Sequence, residues 1–316
     1  MSRSRGTAVA TALLCAALAA AGCGLGPGAG IDGVELTVTR EFGAAPMLER
    51  SLEANESDTV MRALEGAAAI STRYGGGYVQ SIEGVEGGQR DGRPFDWFFY
   101  VDGVESPIGA ADYALQGGER IWWDYRDWAA TNHVPAVVGS WPAPFVGGYE
   151  GRRHPVTVEC EGGGEACARV RQELESAGVS IAGDSPPGAI RVLVGPWARL
   201  RGDPVAALVE AGPQESGVFA DFERGRSGYE LVGLVAGGEA VRHLGPGAGL
   251  VAATRRYDGP PVWVVTGGTA AAVRAAAGLL GAAKLRHHYA VASEDGKETP
   301  LPVVGPARAA AVRGRR

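Results

Sequence analysis

The stretch WFFYVDGVESPIGAADYALQGGERIWWDYRDW, residues 97–128, holds four of the chain's seven tryptophans. Residues 97–101 form an aromatic run of strand type, and Asp102-Gly103 after it is a two-residue hairpin signal. Gly117-Gly118 makes a second turn and feeds a further aromatic strand over 121–128. Successive side chains on a strand point to opposite faces, so one face of each run can line a single core and the other cannot. Trp97, Phe99 and Val101 share one face of the first run, with Phe98 and Tyr100 on the other. In the last run Trp122, Asp124, Arg126 and Trp128 share a face, opposite Ile121, Trp123, Tyr125 and Asp127. Aromatics on both faces mean that something beyond this domain's own core covers or uses the second one.

Upstream, residues 34–39 alternate as a strand does, and Ser57-Asp58 read as a helix start. Val60, Met61, Leu64, Ala67 and Ala68 make its apolar stripe to about Ile70, with Gly75-Gly76-Gly77 as the stop and a strand over 78–82. Gly66 costs that helix about 1 kcal/mol against Ala, so packing has to hold it. The order strand, helix, strand, hairpin, strand over residues 33–128 is compatible with a β-grasp sheet on one helix. Residues 129–155, rich in Pro, Gly and aromatics (Trp141, Phe145, Tyr149), read as an ordered linker packing on the first domain. Residues 156–300 turn to Ala/Val/Gly with alternating strand and helix signals, an α/β domain. Its expected strands are 156–158, 190–194, 218–219, 231–235, 250–253, 262–265 and 289–292. Helices are expected at 166–177, after Asp203-Pro204, and from Thr269 to 280. Residues 301–316 are a basic tail. The expected class is thus an α+β, β-grasp-like N-terminal domain followed by an α/β C-terminal domain.

GGYVQSIEGVEGG (76–88) and WFFYVDGVESPIGAADYALQGGERIWW (97–123), with the helix before them, resemble the bacterial family related to the C-terminal domain of transcobalamin and intrinsic factor. The blocks follow the family's order over residues 32–128, about a third of the chain. Members usually carry Asn where this chain has Asp102, and both residues suit the turn. The resemblance implies a β-grasp-like fold. In the animal proteins this domain closes over the upper face of a bound cobalamin, which makes a corrinoid the first ligand implied here. Those proteins also carry a large α-helical barrel domain, which residues 150–316 do not resemble, and fold alone does not fix a ligand.

The N-terminus has its own logic. Arg3 and Arg5 precede an apolar run over 8–21 that meets Gly22-Cys23. The run is short for a membrane span and has the charge order of a secretory signal. Residues 1–22 therefore read as a lipoprotein signal peptide and Cys23 as the lipidated residue, although Ala20 stands where that cleavage box usually has Leu; plain secretion is the alternative. Residues 23–32, Gly/Pro/Ala-rich, are a flexible tether. Acylation holds a protein stably on a membrane once two or more chains insert, so the expected location is the outer, extracytoplasmic face of the cell membrane. Cys160 and Cys167, seven apart across EGGGEA, fit a disulfide in an oxidising compartment. Two unrelated thiols, or a metal half-site lacking a partner pair, are the other readings.

The full chain carries 30 basic and 36 acidic residues; without Arg3 and Arg5 the balance is 28 to 36, a net charge of −8. An acidic chain without a basic stripe argues against nucleic acid as a partner. Motifs for catalysis are missing: no Gly-x-Ser-x-Gly elbow occurs, and the five histidines show no metal-ligand spacing. His287-His288 would point apart on a strand, so no metal site is expected. VVTGGTAAAV (264–273) is a strand–turn–helix start that lacks a phosphate loop's lysine, with an anion site as its minor alternative. Asp112, Asp124, Arg126 and Asp127 could serve acid–base chemistry, but exposed salt bridging or turn capping is the plainer role. No enzyme or cofactor follows. The aromatic surplus is the best functional signal: either its second faces pack on the rest of the chain, or Phe98, Tyr100, Trp123 and Tyr125 form a platform for a flat ligand. The leading expectation is a membrane-anchored binding lipoprotein that captures a small molecule, a corrinoid first, for an importer. The alternative is an envelope docking module with no small-molecule ligand.

Overall fold

The computed structural model describes residues 29–162, 164–226 and 228–305. Residues 1–22, where a signal peptide is expected, Cys23 as the expected lipidation site, and the tail from residue 306 lie outside the described residues. The first half runs through β1 (Gly30–Arg40), β2 (Ala45–Asn55), α1 (Val60–Ala67), β3 (Ile70–Arg73), β4 (Tyr78–Ile82), β5 (Val85–Glu86), β6 (Gly88–Arg90), β7 (Arg93–Val101), β8 (Val104–Glu105) and β9 (Arg120–Asp127). Its main sheet has the order β2-β1-β9-β7-β6, with β8 paired to β7. β1 and β9 run parallel at its centre, and the other neighbours are antiparallel. β3, β4 and β5 form a small separate sheet. The hairpin signal at Asp102-Gly103 is used as written: φ is +52° and +80°, the paired left-handed geometry of a type I′ turn.

Helix α1 departs from its expected start. Thr59 is the cap, its Oγ1 accepting from Arg62 N at 3.3 Å, while Asp58 Oδ2 instead accepts from Asn55 N at 2.8 Å. The helix stops at Ala67, one residue past Gly66, and Ala68 is already extended. Val60, Met61 and Leu64 are buried, as the stripe required. β2 had no expectation, because its sequence APMLERSLEAN lacks alternation; it is an edge strand with a single buried residue, Ala54.

The second half begins after α2 (Ala143–Val146) and continues with β10 (Val156–Cys160), α3 (Gly164–Ser176), β11 (Ile190–Pro196), β12 (Ala220–Gly225), β13 (Gly228–Leu234), β14 (Ala240–Gly245), β15 (Gly249–Thr254), β16 (Val262–Gly267), α4 (Ala270–Ala277), β17 (Ala290–Glu294) and β18 (Lys297–Leu301), with short helical turns between. Its main sheet has the order β10-β11-β16-β15-β17-β18. The first three strands are parallel and the rest antiparallel, while β12-β13-β14 form a separate meander. The molecule is thus a sheet-rich, mixed α+β protein with several sheets. Both faces of the second sheet are covered. Val192, Val194, Trp263 and Val265 join a core with α3 and α4, and Leu193, Leu250, Val262 and Val264 join another. That second core takes in Phe42, Tyr100 and Trp122 from the first half, so the two halves share one apolar interior. Cys160 and Cys167 are disulfide-bonded, with Cα atoms 6.0 Å apart, tying the end of β10 to α3.

The linker packs differently from expectation. Trp141 and Phe145 lie 5.8 and 4.9 Å from the Trp263 ring, and Tyr149 stacks on His154 at 4.0 Å. Its aromatics therefore fill the second half's core. Periodicity cannot foresee this, because a linker has no face of its own until two partners define one.

Candidate functional site

The register of β7 against β9 decides where the aromatic ladder points. Phe99 pairs with Trp123 and Trp97 with Tyr125, whereas Tyr100 pairs with Trp122 and Phe98 with Asp124. Paired residues share a face. Trp123 and Tyr125 therefore lie with Trp97 and Phe99 beneath α1, with Phe99 stacked on Trp123 at 4.8 Å. The Tyr125 hydroxyl donates to Glu86 O at 2.8 Å. Phe98 and Tyr100 lie on the opposite face, toward the second half. Phe98 is half-buried beneath the Arg126 guanidinium at 3.7 Å, and Tyr100 is fully buried, 5.6 Å from Tyr289. The four sequence-selected aromatics thus divide two and two between opposite faces, and none of them is exposed. The structure does not bring them into one open platform.

The second face carries a polar node that the sequence reading placed at the surface. Asp124 and Arg126 are wholly buried. Asp124 accepts from Thr39 Oγ1 at 2.5 Å, Phe42 N at 3.0 Å, Gly43 N at 3.1 Å and Tyr289 Oη at 3.0 Å. Burial pushes its carboxyl up from the ordinary value, against those bonds and the nearby Arg126 charge. Arg126 donates to Thr131 O at 2.9 Å and Asn132 O at 3.3 Å, holding the start of the linker. Backbones meet tightly beside the node: a Cβ at Gly43 would strike the His287 carbonyl, and one at Gly139 would lie 2.7 Å from the Trp122 ring. Exposure is therefore corrected for this pair and for Asp127, which is buried but keeps the salt-bridging and capping role. Its carboxylate meets Arg93 Nε at 2.6 Å and caps Ala129 N at 2.8 Å. Asp112 is exposed.

Where the two halves part, a cleft of about 490 Å³ opens between the 116–120 loop, the Asp102 turn and α2 with the Gly147-Gly148-Tyr149 segment after it. Two acids form its floor. Glu119 is committed, its oxygens accepting from Gln116 N and from Gly117 N at 2.7 Å. Asp102, only 6% exposed, accepts from Arg120 N at 2.9 Å through Oδ1. Burial, with Glu119 adding to it, pushes the Asp102 carboxyl up to about 7, against the Arg120 hydrogen bond. Arg120 donates to Trp141 O at 2.6 Å and meets Glu35 at 3.2 Å, and it also lines a second cleft of about 300 Å³ beside Trp122 and His287. The sequence named none of these cleft residues as a site. An acid in a hairpin turn is an ordinary turn-former, so the sequence gives no sign of its burial beside a cleft.

The remaining motifs keep structural roles. Thr269 Oγ1 accepts from Ala272 N at 3.2 Å and caps α4. His287 lies in a turn before β17, not on it, with φ +60° and Glu49 3.0 Å away. Among the described residues no group of three or more His, Cys, Asp or Glu is placed to hold a metal, and no helix is long and apolar enough to cross a membrane.

A family model described as "Domain of unknown function (DUF4430)" matches residues 57–127. The match takes in α1, the ladder and most of the loop around the cleft's acidic floor, and leaves the whole second half outside. No curated protein matches the chain.

Proposed function

We propose that the chain is a lipid-anchored, extracytoplasmic binding protein that captures a small molecule at the cleft beside Asp102, and that it is not an enzyme. The observation that carries this is a buried carboxyl turned toward a cleft of about 490 Å³, within the usual range for small-molecule sites. The β2-β1-β9-β7 order, with its parallel central pair and one helix beneath, supports assigning the first half to the β-grasp class and to the transcobalamin C-terminal relatives. A corrinoid remains the specific ligand favoured by that resemblance. A whole cobalamin exceeds this cleft, and would need the neighbouring one as well, with Arg120 displaced from Trp141. The signal-like N-terminus and Cys23 support the anchor and the outer membrane face, and an importer as the acceptor of the cargo. The acidic balance supports no role with nucleic acid.

The test is thermal unfolding of residues 24–316 against cyanocobalamin, hydroxocobalamin and a library of small metabolites. A ligand at a hundredfold excess over its Kd stabilises by about 2.7 kcal/mol. Stabilisation by any member supports capture, and stabilisation by a cobalamin names the ligand. The competing reading, an envelope docking module, draws on Tyr74 and Ile108, which are 86% and 49% exposed on adjoining loops. If no small molecule stabilises the protein while one envelope protein co-purifies with it, and Tyr74→Ser with Ile108→Ser abolishes that capture, docking replaces the binding role.

A further inference from the structure

We propose that the cleft beside Asp102 recognises its ligand through an ammonium group, which the Oδ2 oxygen of Asp102 accepts. The inference rests on the capture reading above and names the chemistry of that site. Oδ1 already serves the turn by accepting from Arg120 N. Oδ2 has no hydrogen-bond partner among the described residues and lies on the side of the cleft wall at Gly147, where an added Cβ would be 3.9 Å away. A carboxyl needed only for the turn would gain nothing by holding its second oxygen, nearly buried, at a cavity. An asparagine would do the turn's work equally well without a buried charge.

The surrounding charges select the sign of the ligand. Glu119 adds a second negative group at the floor, with both oxygens bound to backbone amides. The Arg120 guanidinium is turned onto Trp141 O and Glu35. Tyr113 faces Asp102 as a neutral phenol, its ionisation pushed up by burial. Arg153 is exposed at the cleft rim. The floor therefore holds two acids and no cation committed to Oδ2. An ammonium supplies three donors and the missing charge. Gly117, Gly118 and Gly147 line the walls without side chains, their amides already bonded to Glu119, Asp32 O and Ala143 O.

The ammonium binds the ionised carboxyl, so occupancy displaces the Asp102 proton and affinity rises with pH up to about 7. The experiment follows the Asp102 carboxyl carbon by NMR in residues 24–316 across pH, assigned with Asp102→Asn. The probe is n-butylammonium and its neutral control n-butanol. Saturating n-butylammonium is expected to lower the Asp102 midpoint by about one pH unit or more, with n-butanol leaving it in place. Asp102→Asn keeps the turn and the acceptor for Arg120 N, and is expected to fold normally while losing about tenfold or more in affinity for the probe. A midpoint unmoved by n-butylammonium, or a variant that binds it equally well, overturns the proposal. If a library molecule still stabilises the protein in that event, capture stands and its chemistry is different. If nothing binds, both readings fall.

Discussion

The two faces of the β7–β9 ladder are built from the same kinds of residue and closed by different means. Beneath α1, Trp97, Phe99, Trp123 and Tyr125 meet Val60, Met61 and Leu64 from a helix that follows β2 directly. That face is apolar, local in sequence and closed by packing. On the other face Phe98, Tyr100 and Trp122 surround Asp124 and Arg126, and the cover comes from Phe219 and Tyr289, far along the chain. A hydrocarbon face accepts any apolar cover of the right shape. A face with a buried acid at its centre accepts only a cover that brings donors to the right places. The second face thus specifies how the two halves meet, and the first only that something covers it.

Removing the acid is the strongest way to break this contrast. Asp124→Ala takes away the acceptor of the Thr39 hydroxyl, two backbone amides and the Tyr289 hydroxyl, and removes one of the two carboxylates near the buried Arg126 charge. The expected cost is about 3–5 kcal/mol in urea unfolding, with faster amide exchange in both halves. A cost below about 1 kcal/mol would mean that packing alone holds the halves together. Trp123→Ala removes a whole indole from the other face, again at about 3–5 kcal/mol. Its exchange signature is expected to stay within α1, β1, β7 and β9. Equal spread of the two signatures would erase the distinction between local and long-range closure.

Alternation made the ladder legible, with its hairpin turn and its two faces, because a strand's period is fixed by backbone geometry. Parallel strands such as Val262–Gly267 were legible for a related reason, as continuous apolar runs that sheets buried on both sides require. What could not be read was pairing between distant segments. Asp124 and Arg126 stood on the same face as Trp122 in the sequence itself, yet nothing local said that Tyr289 would come to cover them. The same gap divided the four chosen aromatics, since the choice between Trp122 and Trp123 as the partner of Phe98 and Tyr100 depends on register. β2 and β14 were missed because edge strands with few buried residues carry little pattern.

Two buried acids sharpen the comparison further. Asp124 has donors on both oxygens, and Asp102 has one donor and a cleft. The Asp102 carboxyl sits near 7 in the folded protein, above its ordinary 3.8, so the folded state holds a proton that the unfolded chain has released. Its contribution to stability is full below about pH 4 and declines as pH rises toward 7, by at most about 1.4 kcal/mol per pH unit. Asp102→Asn removes that slope, so the variant is expected to match the parent protein near pH 4 and exceed it at pH 8. Urea midpoints at the two pH values check this, and parallel behaviour of the two proteins would mean that water entering the cleft already solvates the charge.

The smallest expected effect tests how redundant the node is. Tyr289→Phe removes the hydroxyl that donates to Asp124 at 3.0 Å and accepts from Tyr100 at 3.3 Å, but leaves the ring against Phe42 and Trp122. Asp124 keeps Thr39 and the amides of Phe42 and Gly43, all supplied by the first half. The loss should therefore be about 1 kcal/mol, the ordinary worth of one hydrogen bond. That hydroxyl also makes the second half's only hydrogen bond to Asp124 among the described residues. If its removal costs as much as losing the carboxylate itself, the three donors of the first half do not suffice to keep the acid buried. The node would then be assembled only when the halves dock, and the first half would need its neighbour to hold the ladder's polar face closed.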